Sequence, residues 1–331
     1  MPRLLPLLAL PFAALPAQAA DLEQVTFALN WLPVAEHGGF YQAVADGTYA
    51  ECGLEVEIVP GGPQVNNRAQ LMAGRVDFHM GGDLLQAFNA VAEGVPVVAV
   101  AAIFQKNPQV LMSHPGASES FEDLKDLTIL VDDNAYASYY QWMISAFGFT
   151  ADQRQPYTYN AAPFLADEGV VMQGYLTSEP YLIEQEGGFV PNVYLLADLG
   201  FDSYATTIEA MQSTLDERPE VVKCFVEGSI EGWYNYLWGD NAAANATIKE
   251  LNPDFGQDKI DFAIRQMIDY GVVKSGDAET LGIGAITEDT AGAFFRAMVE
   301  AGVLDADLDW RKAFDTTWIN QGHGMDLMPT E

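Results

Sequence analysis

The sequence predicts an α/β protein of two lobes, each a mostly parallel sheet flanked by helices, with the second lobe inserted into the first. Three observations lead there. Strand-like runs alternate with helix-like runs along residues 25–103, the spacing of strands joined by crossover helices. The alternation restarts after Pro115, and beyond about residue 208 the chain turns largely helical, as if returning to cover what it began.

The elements follow in order. Val25, Phe27 and Leu29 alternate with polar or small neighbours as a half-buried strand does, and Pro33 stops the run. A helix begins near Gly38, with Phe40, Ala43, Val44 and Gly47 at helical spacing, and Gly53 is its expected closing residue before a strand at 54–59. Gly61-Gly62-Pro63 makes a loop; a helix at 64–73 ends at Gly74, and 76–80 is a short strand. Gly81-Gly82-Asp83 leads into a helix at 84–92 closed by Gly94, and the unbroken apolar run 97–103 is a buried strand. In the second lobe a helical turn at 121–124 precedes a strand at 127–131, and Asp132 is placed to cap a helix at 136–147. A strand near 157–159, a helix near 161–168, a strand at 170–175 and a helix opened by Ser178-Glu179-Pro180 complete the pattern. Strands at 193–196 and 205–208 return the chain to the first lobe, and helices at 220–236, 241–251, 258–270 and 287–301 cover it. Two crossovers, near 105–113 and 196–204, form the expected hinge, so lobe 1 takes residues 21–108 and 202–331 and lobe 2 takes 109–201.

Residues 1–20 read as a secretory signal peptide: Arg3, an apolar run to Leu15, and Ala17-Gln18-Ala19 before the cleavage point. The first cysteine is Cys52, too far from that point to carry a lipid anchor, so a soluble periplasmic protein is expected. Cys52 and Cys224 allow at most one disulfide, and spacing leaves their pairing open. With 15 basic against 47 acidic residues and a formal charge of −32, the chain is an unsuitable partner for nucleic acid. Its four histidines are scattered, so no metal site is indicated, and no P-loop, G-x-S-x-G elbow or dinucleotide fingerprint is present. No cofactor and no catalysis are expected.

The turn from Asn30 to Tyr41 gathers an indole, a carboxylate, an imidazole and two glycines where a strand hands over to a helix. Open α/β sheets bind ligands at the carboxyl ends of their strands, so this turn is the expected floor of a cleft.

The motif Asn30-Trp31-x-Pro33-x-x-x-His37 resembles the opening of periplasmic binders of thiamine-pyrimidine precursors, and Gly47-x-Tyr49-x-x-x-Gly53-Leu54-x-Val56-x-Ile58 resembles their next segment. Ala73-Gly74-Arg75-Val76-Asp77-Phe78, Phe121-x-Asp123-Leu124-Lys125 and Pro219-Glu220-Val221-Val222-x-x-Phe225-Val226 are similar to the wider group, which includes nitrate, sulfonate and taurine receptors. The resemblance covers nearly the whole mature chain. It implies a type II periplasmic-binding-protein fold and the solute-binding role of an ABC importer, with a permease in the inner membrane as partner. Fungal relatives in this branch are enzymes that consume their own histidine and bound pyridoxal phosphate. Here Gly81 and Leu85 stand where their lysine and histidine would align, so the resemblance implies a receptor.

For a small, flat nitrogen heterocycle, Trp31 is the expected stacking wall, opposed by Tyr136 or Tyr140 of the second lobe. Glu179, Asp83, Gln64 and Gln105 are the expected edge readers, since a carboxylate or amide pairs with adjacent ring donors and acceptors. Glu36 and His37 share the Trp31 turn; an exported enzyme would use His37 as base and Glu36 or Glu179 as its partner. Flavin-like and purine-like ligands fit the same logic. A sulfonate or nitrate would need a cation, and Arg68, expected on a helix surface, is the nearest of interest. A monomer is expected.

Overall fold

The structure, a computed structural model, describes residues 22–63 and 65–329. The expected signal peptide and Gln64 lie outside the described residues. Among the described residues ten strands form two five-stranded sheets. The first runs β2 (Leu54–Val59), β1 (Glu23–Ala28), β3 (Phe78–Met80), β10 (Ala205–Met211), β4 (Val97–Phe104). The second runs β7 (Arg154–Pro156), β6 (Thr128–Val131), β8 (Val170–Tyr175), β5 (Gln109–Ser113), β9 (Asn192–Leu195).

Each sheet is parallel except for one strand. β10 is antiparallel to β3 and β4, and β5 is antiparallel to β8 and β9. The reversed strand is in each case the first to arrive from the other sheet. β4 ends at Phe104 and β5 begins at Gln109, so the short link enters the second sheet where β8 ends, and Gln109 faces Tyr175 in register. The carboxyl ends of the parallel strands in both sheets therefore meet across the crossovers. That is where an open sheet leaves its ligand crevice.

The helices of the first sheet's side are α1 (Gly38–Asp46), α2 (Thr48–Glu51), α3 (Asn67–Met72) and α4 (Leu84–Ala92). On the second sheet's side are α5 (Asp133–Ala137), α6 (Tyr139–Phe147), α7 (Ala162–Ala166) and α8 (Glu179–Gly187). The chain closes with α9 (Gln212–Glu217), α10 (Pro219–Trp238), α11 (Ala242–Leu251), α12 (Gln257–Asp269), α13 (Ala278–Leu281) and α14 (Glu288–Glu300). Among the described residues no helix is long and apolar enough to cross a membrane.

Packing decides several departures from the expected elements. Gly47, at φ 80°, ends α1 earlier than Gly53 would have. The Gly38-Gly39 pair is there for close approach: a Cβ at Gly38 would collide with the Tyr236 ring and one at Gly39 with the Trp233 indole, so both glycines let α1 lie flat on α10. Residues 109–113, expected within a crossover, form β5. The strand expected at 157–159 stops at Pro156. The helix expected over 136–147 is broken at Ser138, whose φ and ψ of −112° and −111° separate α5 from α6. Cys52 and Cys224 are joined in a disulfide with Cα atoms 5.9 Å apart, tying the end of α2 to α10.

Candidate functional site

Three contacts bring the two strand-end surfaces together. Trp31, on the turn after β1, lies against Tyr159 of the second lobe with ring centroids 4.4 Å apart and planes tilted by 48°. Thr177, in the loop between β8 and α8, donates its hydroxyl to Glu36 Oε1 at 2.5 Å. Ser138, between α5 and α6, donates to Asp83 Oδ2 at 2.9 Å. In both polar contacts the first lobe supplies a carboxylate and the second a hydroxyl.

Local structure explains why each group points where it does. Asp83 caps α4 by accepting from the Gln86 amide at 3.1 Å on Oδ1, which leaves Oδ2 for Ser138. Ser138 reaches it because the helix breaks there. Tyr159 has φ 60°, a left-handed conformation that costs a non-glycine residue on the order of 1 to 3 kcal/mol and that marks functional positions when the surroundings enforce it. The side chain is anchored at Asp132. The Tyr159 hydroxyl donates to Asp132 Oδ2 at 3.0 Å, Gln173 Nε2 donates to the same oxygen at 2.6 Å, and Asp132 Oδ1 caps α5 at 2.9 Å.

Tyr159, not Tyr136 or Tyr140, thus faces Trp31. Tyr140 is fully buried in its own lobe, with its hydroxyl donating to the Thr150 carbonyl at 2.9 Å, and the half-buried Tyr136 ring carries the Arg154 guanidinium 4.9 Å from its centroid. Glu179 lies at the start of α8 close enough to Glu36 to act on its charge. Its Oε2 turns back to accept from the Tyr175 amide at 2.7 Å and the Ser178 hydroxyl at 2.6 Å, leaving Oε1 as its only oxygen for an edge contact. Gln105, on the first crossover, commits its Nε2 to the carbonyls of Ala102 and Ala285 at 2.9 and 3.0 Å, so only Oε1 remains as an acceptor. It lines a cavity of about 240 Å³ at the crossovers with Lys106, Asp202 and Asp277. Arg68 is not a free surface cation: it pairs at 3.2 Å with Glu209, which is fully buried beneath Gly81 and also bonded to His79 at 2.9 Å.

Burial sets the electrostatics. Desolvation pushes the Glu36 carboxyl up to about 7, against the Thr177 hydrogen bond and with help from the Glu179 charge. Asp83 and Glu179 are raised for the same first reason, burial. Burial lowers His37 to about 3, with backbone hydrogen bonding at Leu32 opposing it, so the imidazole is neutral and packed, unsuited to serve as a charged partner. Among the described residues no His, Cys, Asp and Glu cluster could hold a metal ion.

At the rim, Tyr181 of α8 reaches α12 of the first lobe: its hydroxyl donates to Asp258 Oδ2 at 2.9 Å and its ring lies 5.1 Å from that of Phe262. This latch touches neither Trp31 nor Glu36. Tyr181→Ala is expected to weaken ligand affinity roughly 2- to 10-fold by destabilising the joined form, the worth of one hydrogen bond of this kind. Calorimetry paired with small-angle scattering checks it, and wild-type affinity with wild-type compaction would remove the latch from the mechanism.

Comparison with known proteins places this geometry in context. A family model described as NMT1/THI5 like matches residues 34–240. The riboflavin-binding protein RibY of Chloroflexus aurantiacus is 25% identical over 335 residues, covering 94% of this chain and 90% of that protein. Among solved structures, a Candida albicans protein described as having the generic periplasmic binding protein fold superposes with a TM-score of 0.64 at 15% identity, over 90% of this chain and 98% of that one. The alkanesulfonate-binding protein SsuA of Xanthomonas axonopodis pv. citri, bound to MOPS, gives 0.64 at 12% identity, over 90% and 100%. The fold is that of the periplasmic binding proteins.

Proposed function

We propose, for a chain that belongs to the NMT1/THI5-like family, that it is the substrate-binding component of an ABC importer and captures a small, flat nitrogen heterocycle between its two lobes. One observation carries the choice of ligand. The lobes meet through an aromatic pair and two carboxylate–hydroxyl contacts, a set of groups suited to stacking a ring and accepting hydrogen bonds from its N–H groups. A flat ring between two aromatic faces needs the rings about 7 Å apart, so Trp31 and Tyr159, in contact at 4.4 Å, have to separate for a ligand ring to stack between them. Closure turns on the links at 105–108 and 196–204, as in other hinged receptors. The periplasm is the proposed location and an inner-membrane permease the proposed partner.

A sulfonate or nitrate is the poorer reading, because an anion at this place would face Glu36, Asp83 and Glu179, while Arg68 is already neutralised by Glu209. A flavin is the better second reading, supported by the similarity to RibY over most of the chain. Isothermal titration with a thiamine-precursor aminopyrimidine, riboflavin, a purine base, an alkanesulfonate and nitrate tests the assignment. Stoichiometric binding of a heterocycle without turnover is expected. If an anion bound tightest, or product accumulated over many equivalents, the reading would fail.

A further inference from the structure

Around the Trp31 turn and the face of α10 behind it, several buried polar atoms have no partner, among them His37 Nδ1, the Tyr41 hydroxyl, Trp233 Nε1, Glu36 Oε2 and the Tyr236 hydroxyl. Glu36 is 5% exposed; its Oε1 takes the Thr177 hydroxyl, while its Oε2 is unbonded. Tyr236, on α10 and fully buried, has an unbonded hydroxyl. Folded chains leave few such atoms unpaired, because each has given up water and received nothing. Neither group is free to turn away. The Tyr236 ring is pressed against the backbone of Gly38, where even a methyl group would collide with it, and Glu36 is held from the other lobe by Thr177. The two lie in the same part of the fold, since the Tyr236 ring sits against Gly38, two residues on from Glu36.

We infer that Glu36 Oε2 and the Tyr236 hydroxyl form a polar subsite behind the aromatic pair that takes a hydroxyl substituent of the ligand. The inference rests on the heterocycle reading above and adds the group that such a ligand carries off its ring. The chemistry selects a hydroxyl. Above about pH 7 the ionised Glu36 accepts only, and a phenol that donates needs an acceptor, so a single small group serving both must then donate and accept through one atom. A hydroxyl does this. A ring amino group, whose lone pair is delocalised, only donates; a sulfonate or carboxylate only accepts and is repelled by Glu36.

Tyr236→Phe tests it, because it keeps the ring against Gly38 and removes only the oxygen. In the ligand-free protein the melting temperature should be unchanged or higher, since an unpaired buried hydroxyl is lost. A fall of more than roughly 3 °C would overturn the inference by showing that the hydroxyl holds a structural water or bond. Calorimetry then compares 4-amino-5-hydroxymethyl-2-methylpyrimidine with its 5-methyl counterpart, and riboflavin with lumiflavin. The variant should lose about tenfold affinity for the hydroxyl-bearing member of the pair that binds and less than about twofold for the other. An equal loss for both members, or none for either, would overturn the subsite. If the wild-type protein bound none of the four, the heterocycle reading would fail and the subsite with it, while a stable Tyr236→Phe protein would still show that the hydroxyl has no structural task.

Discussion

Trp31→Ala is expected to weaken ligand binding by roughly 30- to 1000-fold, the equivalent of about 2 to 4 kcal/mol, while the ligand-free protein stays folded. The indole lies on a turn after β1, half-buried, and its aromatic partner Tyr159 belongs to the other lobe. The β1 core positions beside it, Val25 and Phe27, are filled without it. Removing the indole therefore takes away the proposed ligand wall and one interlobe contact, and leaves the first lobe's packing in place. The expected loss combines the buried area of a large aromatic ring with the stacking preference of about 0.5 to 1.5 kcal/mol. Titration of the heterocycle that binds, together with a thermal denaturation curve, separates the outcomes. A variant that does not fold would make Trp31 a core residue, and a folded variant of unchanged affinity would move the ligand away from the aromatic pair.

The legibility of the fold differs between local and long-range features. The strand at 54–59, the helix at 84–92 and the strand at 170–175 follow directly from hydrophobic period and glycine or proline punctuation, and the structure has them at those bounds. β5 escaped because residues 109–113 follow β4 with no helix between, so an inserted lobe's first strand looks like part of a linker. The site divides in the same way. Trp31, Glu36 and Asp83 are visible as chemistry placed after strands, but their partners across the lobes are set by tertiary geometry. Tyr159 owes its position to a left-handed backbone and a bond to Asp132, and Ser138 to a helix break; neither leaves a pattern in the sequence. The helix pattern at 136–147 pointed to Tyr136 and Tyr140, and it continues across Ser138 without interruption. Tyr236 was legible only as an apolar position of α10. Its signal is the glycine at 38, which makes sense once a ring is seen to occupy the space.

The ligand-free protein is expected to close as pH falls through about 7. In the joined form burial holds the Glu36 carboxyl near that value, whereas in water a glutamate titrates near 4.5. A carboxyl raised on closing binds its proton more tightly in the closed form. Above about 7 both forms are ionised and closing carries the full cost of burying the charge; between about 7 and 4.5 only the closed form takes up the proton, and below that range there is no further gain. The difference amounts to about 3 kcal/mol at this one group. The groups facing Glu36 from the neighbouring elements include Thr177, Glu179 and Tyr175 of the second lobe and Tyr236 of α10. Glu179 and Asp83 are raised by burial as well, so they act with the same sign. Small-angle scattering of the empty protein at pH 8.5, 7 and 5.5 reads the effect as a falling radius of gyration. Glu36→Gln, neutral at every pH, should be the more compact protein at pH 8.5 and should retain only the weaker dependence due to Asp83 and Glu179. A wild-type radius independent of pH, or a Glu36→Gln curve that overlays the wild-type one, would show that the Glu36 proton is not coupled to closure.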